Sequence, residues 1–264
     1  MTTTPRASGV APRGSGFVGA VAAEWTKLWG LRSTWLCLAA TVVMAAGVAV
    51  LGIPRSPNGF EGDPPILDAN SNIQAVMLLA QFAMVALAAL PLTGEYATGA
   101  IRTTLTCVPR RATMLLAKVT VGGAVAALTG IVMGLLNMGV IAALYGPQYM
   151  EITAEGLGRG LLGAGFYLLT ISLFVLGLGA ILRSTAGAIT TAIGVIVGIP
   201  LLSQIIGNET LTEISNYTPT QVSGVVLSGV TAMPYSLGSA LLLLLGWAIV
   251  ALAGGYAVLR YRDA

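Results

Sequence analysis

Polar positions along this chain gather at the joints between long apolar runs instead of alternating with apolar neighbours. Counting runs of about 20 apolar residues as candidate membrane spans gives six, at approximately 34–53, 73–92, 119–144, 161–182, 186–206 and 237–259. None of them contains Asp, Glu, Lys or Arg. A bilayer interior obliges the backbone to satisfy its own hydrogen bonds, and runs this long without period-two alternation fit helices, not barrel strands. The pattern predicts an all-α integral membrane protein with six transmembrane helices.

Shorter elements flank these spans. Phe17, Val21, Trp25, Leu28 and Trp29 recur at helical spacing, with Lys27 among them, which predicts an N-terminal interfacial helix whose Trp residues sit at headgroup depth. Residues 1–15, rich in Thr, Pro, Arg and Gly, read as a disordered cytoplasmic tail. After the second span, Ile101, Leu105 and Val108 share one helical face and Pro109 ends the helix. A short amphipathic helix is expected within the loop 94–118. The loop 207–236 is the longest connection and not very polar. Its Val222, Val225, Val226 and Val230 predict a short helix lying on the outer leaflet or dipping into it as a re-entrant segment.

Charge orients the spans. With the N-terminus inside, the cytoplasmic segments hold eleven basic residues and the external ones only Arg55 and Arg159. Basic residues near span ends stay on the cytoplasmic side, so the expected topology is N-in, C-in. Seven acidic residues fall on the other side, Glu61, Asp63, Asp68, Glu151, Glu155, Glu209 and Glu213. Arg110, Arg111 and Lys118 are expected to snorkel toward phosphate headgroups at the membrane edge.

Composition narrows the chemistry. Only 9% of the residues are charged, where a soluble domain devotes about a quarter, and this excludes a cytosolic globular enzyme. There is no His in the chain, which removes Ser-His-Asp and Cys-His catalysis and His-dependent metal sites. No paired carboxylates lie within the spans, so a membrane enzyme is disfavoured. Cys37 and Cys107 fall at different depths and read as two unpaired thiols.

The loop Gly94-Glu95-Tyr96-Ala97-Thr98-Gly99-Ala100-Ile101-Arg102-Thr103-Thr104-Leu105-Thr106-Cys107-Val108-Pro109-Arg110-Arg111 resembles that of the membrane subunit of ABC-2 type ATP-binding-cassette exporters. The family pattern of an acidic residue, a Gly about four later, an apolar stretch, Pro-x-Arg and a Lys before the third span falls on Glu95, Gly99, Ile101 with Leu105, Pro109 with Arg110 or Arg111, and Lys118. Ala100 stands where the family more often has Thr. The opening Glu24-Trp25-Thr26-Lys27-Leu28, followed by Arg32-Ser33-Thr34-Trp35, is similar to actinobacterial members. The resemblance covers the chain from about residue 17. It implies a coupling helix near Gly99 to Cys107 that docks on a separate ATPase subunit, with Glu95, Gly99, Ile101, Arg102, Leu105, Pro109 and Arg110 as the coupling residues. A second permease copy or a homologous permease would complete the pathway in the plasma membrane of a bacterium. ATP and Mg would be bound by the partner subunit, with no cofactor on this chain and no nucleic acid among its partners. The expected substrates are hydrophobic or amphiphilic, such as drugs, antibiotics or lipids.

The residues themselves support an external energy source. The chain contains no GxxxxGK[ST] phosphate loop, and its spans lack the titratable groups that an ion-coupled carrier needs at mid-membrane depth. Work must then arrive through the cytoplasmic loops. Glu95, just beyond the second span, is a candidate latch that pairs with Arg102 or another cytoplasmic base and transmits the stroke. The amides Gln74, Gln81 and Asn137 are candidate linings of the pathway, with hydrogen bonding between helices as the other reading. Gly130-x-x-x-Gly134 has the spacing of a helix-packing face, including that of a dimer. A membrane scaffold or sensor that recruits a partner through the loop, and a passive carrier, are the alternatives to an exporter.

Overall fold

Apolar side chains cover these segments so completely that the backbone has no partner but itself, and helices result. The computed structural model describes residues 16–51, 67–68, 72–108, 110–145, 150–151, 153–229 and 232–261. The predicted tail at 1–15, Pro109 and Val230 lie outside the described residues. In chain order the helices are α1 (Phe17–Gly30), α2 (Arg32–Leu51), α3 (Ile73–Thr98), α4 (Ile101–Cys107), α5 (Arg111–Tyr145), α6 (Ala154–Gly158), α7 (Ala164–Leu182), α8 (Thr185–Ile193), α9 (Ile199–Ile206), α10 (Glu209–Asn216), α11 (Pro219–Ser228) and α12 (Leu237–Tyr261). Wider π-helical turns at Arg159–Gly163 and Gly194–Gly198 join α6 to α7 and α8 to α9. Among the described residues, six stretches are long and apolar enough to cross a membrane, as expected. A two-residue parallel pair, β1 (Leu67–Asp68) with β2 (Met150–Glu151), ties two loops together.

Helix α7 is the axis of the bundle, packed against α3, α5 and α12. Small residues make that packing close. A Cβ on Gly177 of α7 would sit 2.6 Å from the Ala251 carbonyl oxygen of α12, and one on Gly255 would sit 2.7 Å from the Ala180 Cβ. Gly130 and Gly134 of α5 face Ala164, Gly165 and Gly160 in the same way. The Gly130-x-x-x-Gly134 face is therefore used within the chain rather than between two copies. With lipid tails as apolar as Leu, such backbone approach is what gives one helix a preference for another over the solvent. The outward faces of α2, α9 and α12 remain uncovered, as Val43, Ile205 and Val250 show.

The loop 207–236 holds two helices. Helix α10 is largely exposed, whereas α11 is buried from Val222 through Leu227 and packs on α3, α7 and α12. It is thus a segment enclosed by protein rather than one lying on a leaflet. Thr220 of α11 donates a hydrogen bond of 2.6 Å to the carbonyl of Ile196. That carbonyl belongs to a π-helical turn, whose wider winding breaks the regular ladder and leaves groups to be satisfied from elsewhere.

The second and third spans run past their apolar windows. Helix α3 continues to Thr98 and α5 begins at Arg111, so Glu95 and Lys118 lie within helices. Helix α1 packs on α5, and the guanidinium of Arg111 donates to the Leu259 carbonyl near the end of α12. The first described helix and the end of the last consequently both lie against the start of α5, at the end of the bundle that holds Lys27, Arg102, Arg110 and Lys118. Glu155, Glu209 and Glu213 lie toward the other.

Candidate functional site

At the basic end, three helices converge on a cluster of four charges. Ala20, Glu24 and Leu28 form the buried stripe of α1 at four-residue spacing. Glu24 thereby enters the interface. On α5, Lys118 lies seven residues past the helix start, about 10 Å along the axis at 1.5 Å per residue, and its side chain has no exposure. Its ammonium donates to Glu24 Oε2 at 2.8 Å, Glu95 Oε1 at 2.8 Å and the Pro91 carbonyl at 2.9 Å. All three N–H donors of that lysine are used. Lys27, with its side chain 45% exposed, donates to Glu24 Oε1 at 2.8 Å and to Glu95 Oε1 at 2.9 Å.

The cluster is electrically neutral, two carboxylates against two ammonium groups. Glu24 and Glu95 retain only 9% and 11% side-chain exposure, so water does little to screen them. Burial by itself pulls the Lys27 pKa down, but the hydrogen bonds and charges of Glu24 and Glu95 outweigh it and hold the pKa above 10.5. A buried charge is tolerated only when paired and hydrogen-bonded. Lys118 meets that condition fully, and Glu95 meets it on one oxygen only, since Oε2 is buried without a hydrogen-bond partner.

Of the bases expected for Glu95, Arg102 is exposed on α4, and the partners are two others at the same end, Lys118 and Lys27. One expectation is corrected. Lys118 does not snorkel to the membrane edge, because the early start of α5 carries it inside the bundle, where two carboxylates and a carbonyl take its three donors. Glu24 escaped notice as a site residue since the apolar spacing of Phe17, Val21, Trp25 and Leu28 pointed to a different face of α1. Phe17 and Trp25 are 45% exposed each, and Leu28 is buried. The signal that could have found it is the scarcity of acids at this end, where Glu24 and Glu95 face a large excess of cations.

Helix α1 is separate from α2. The chain is extended at Leu31, and Thr34 of α2 donates to the Leu28 carbonyl at 2.6 Å across the break. The rings of Trp25, Trp29 and Trp35 pack in a row with centroids 5.4 and 5.1 Å apart, an amphipathic edge suited to headgroup depth.

Gly99 ends α3 in the left-handed conformation, with φ at 74°, which favours Gly there. The chain then turns directly into α4. Ile101 is buried, and Leu105 and Val108 pack partly buried against Leu92, Met114 and Leu176. Ile101 and Leu105 therefore hold α4 to its own bundle. The outward face carries Arg102, Thr103, Thr106 and Cys107, followed by exposed Arg110. At the far end of α7, Arg183 lies over the Tyr96 ring at 5.1 Å, which braces α3 close to Glu95.

Above the charge cluster, between α1, α3, α5 and α7, is a cavity of about 580 Å³. Leu28, Leu31, Met84, Leu87, Val121 and Leu176 supply much of its apolar wall, and Glu24, Lys27, Glu95 and Lys118 its polar end. The amides lie elsewhere. Gln81 is buried and accepts from the Tyr167 hydroxyl at 2.5 Å while donating to the Leu78 carbonyl at 2.9 Å. Its role here is hydrogen bonding between helices. Asn137 is fully buried in α5, and Gln74 packs against Gly224 of α11. None of the three lines the cavity.

The segment that holds all these parts, from α1 to the end of α12, is matched by a family model. The model describes ABC-2 family transporter proteins and covers residues 21–264. The chain belongs to the ABC-2 transporter family. No curated protein matches it significantly. An ABC-2 permease is a multi-pass membrane transport subunit, generally non-catalytic, and membership implies association with an ABC ATPase. In this permease the charge cluster joins the N-terminal helix to the two spans that flank α4.

Proposed function

We propose that this permease forms the translocation pathway of an ATP-driven exporter for a hydrophobic or amphiphilic substrate. A separate ATPase binds ATP and Mg, docks on the outward face of α4, and moves it during the cycle. A second copy, or a homologous permease, completes the pathway in the bacterial plasma membrane. The basic end of the bundle faces the cytoplasm, in keeping with the distribution of Lys and Arg. The observation that carries this reading is the neutral cluster Glu24–Lys118–Glu95–Lys27. It ties α1 to α3 and α5, the two helices that flank α4, so a push on α4 reaches the spans instead of being absorbed by a loose loop. Glu95, Gly99, Ile101 and Leu105 thereby fix the helix to the bundle, while Arg102 and Arg110 are free to meet the partner.

The test is reconstitution with an ATPase encoded beside this reading frame. Nucleotide-dependent, vanadate-sensitive flux of an amphiphile into inverted vesicles is expected, and Arg102→Glu should reduce both co-purification and flux. Co-purification without flux would favour a scaffold. Flux without any ATPase would favour a passive carrier.

A further inference from the structure

We infer that the cavity above the charge cluster is a binding site for an amphiphilic amine, with the protonated amine on Glu95 and the apolar body among α1, α3, α5 and α7. The hydrogen-bond arithmetic of the cluster selects the sign of the head group. Lys118 has spent all three of its donors on Glu24, Glu95 and Pro91, and it has none left for an anion. Both ammonium groups meet Glu95 on the same oxygen, Oε1, and leave Oε2 buried and unpartnered. Ser172, 3% exposed and part of the cavity lining, has an Oγ without a partner, a hydroxyl that can accept from an amine as well as donate. What Glu95 Oε2 lacks is a donor, and a carboxylate oxygen takes its strongest hydrogen bond from a cation.

Lys27 is the exposed member of the cluster and bonds Glu95 on Oε1, so an amine arriving at Oε2 shares the carboxylate with it and competes with it for the same negative charge. The volume of about 580 Å³ lies within the range of small-molecule sites, and the walls are mainly aliphatic. Gly30, Leu31 and Ser33 at the α1 to α2 break contribute to the lining. The inference deepens the exporter reading by naming a substrate class, but binding requires no ATPase and is tested without one.

The experiment uses the full chain in lipid nanodiscs, titrated with dodecylammonium and followed by Trp fluorescence from α1, with empty nanodiscs subtracted. Saturable binding is expected, and dodecyl sulfate should show none. Glu95→Gln should weaken binding at least tenfold. Because that variant also loosens the cluster, Gly122→Leu provides an independent block. Gly122 lines the cavity, and a Cβ there meets nothing within 4 Å, so a leucine fills the space with the charges intact and should abolish saturation. Lys27→Met removes the competing ammonium and should tighten binding. Undiminished binding in Gly122→Leu, weaker binding in Lys27→Met, or preference for the sulfate would overturn the assignment. Saturable binding combined with no ATP-dependent flux would sink the exporter reading and leave the site standing.

Discussion

Replacing Lys118 by Met is the sharpest perturbation of this molecule. The apolar stem is kept in similar volume, and only the ammonium is lost. Glu24 Oε2 and the Pro91 carbonyl lose the ammonium, Glu95 Oε1 keeps only Lys27, and a neutral buried cluster becomes one of net charge −1, with Lys27 as the counter-ion that remains. Removing one partner of a buried ion pair costs about 3–5 kcal/mol. The slight exposure of both carboxylates argues for the lower end, near 3 kcal/mol. Most of that cost should appear as opening of α1, whose hold on α5 passes through Glu24. At 1.4 kcal/mol per decade this corresponds to roughly 100-fold faster hydrogen exchange of α1 amides in nanodiscs. Amides in the middle of α12 serve as the internal reference and should be little changed. The variant Glu24→Gln, Glu95→Gln, Lys118→Met, which removes the buried charges together, should recover much of the lost protection, because the penalty comes from an unpaired charge and not from a missing attraction. Protection of α1 within about threefold of wild type in Lys118→Met would refute the reasoning.

Other consequences are open to measurement. Gly177→Val should lower the melting temperature in detergent, since its Cβ would press on the Ala251 carbonyl, and overpacking of this kind costs about 1–3 kcal/mol; an unchanged melt would remove close backbone approach as the basis of the α7 and α12 contact. Tyr167→Phe should cost about 1 kcal/mol by stranding the Gln81 oxygen, and Gln81→Leu combined with it should cost less than the two single changes added together. Additive losses would mean that the two side chains do not share a bond. The raised pKa of Lys27 fixes a pH window. A group whose folded pKa lies above its unfolded value stabilises fully below the unfolded value and loses that contribution as pH climbs through the folded one. The advantage of wild type over Lys27→Met in α1 protection should accordingly be constant at neutral pH and fade only above 10.5; a loss near neutrality would contradict the pairing.

How much of this could be read without coordinates depends on the range of the forces involved. The six spans and the face of Ile101, Leu105 and Val108 follow from periodicity and from the demand that a backbone in lipid bond to itself. Both are local, and the structure keeps them. Family membership was legible too, in the order of Glu95, Gly99 and Lys118 along the chain. Partners of the charges were not legible, since Lys118 lies 94 residues from Glu24 in sequence, and nothing nearby marks them as neighbours. Hydropathy even pointed the wrong way. An apolar window ends at the first charge, whereas α3 and α5 continue as helices because opposite charges meet there. The same holds for Gly130, whose partner face on α7 was indistinguishable from that of another copy, and for Gln81, whose bond to Tyr167 depends on how two helices are rotated. Sequence alone determined which segments enter the membrane and in what order. Tertiary packing decided which charges are buried, because the burial of a charge is set by what surrounds it in space and not by the residues beside it in the chain.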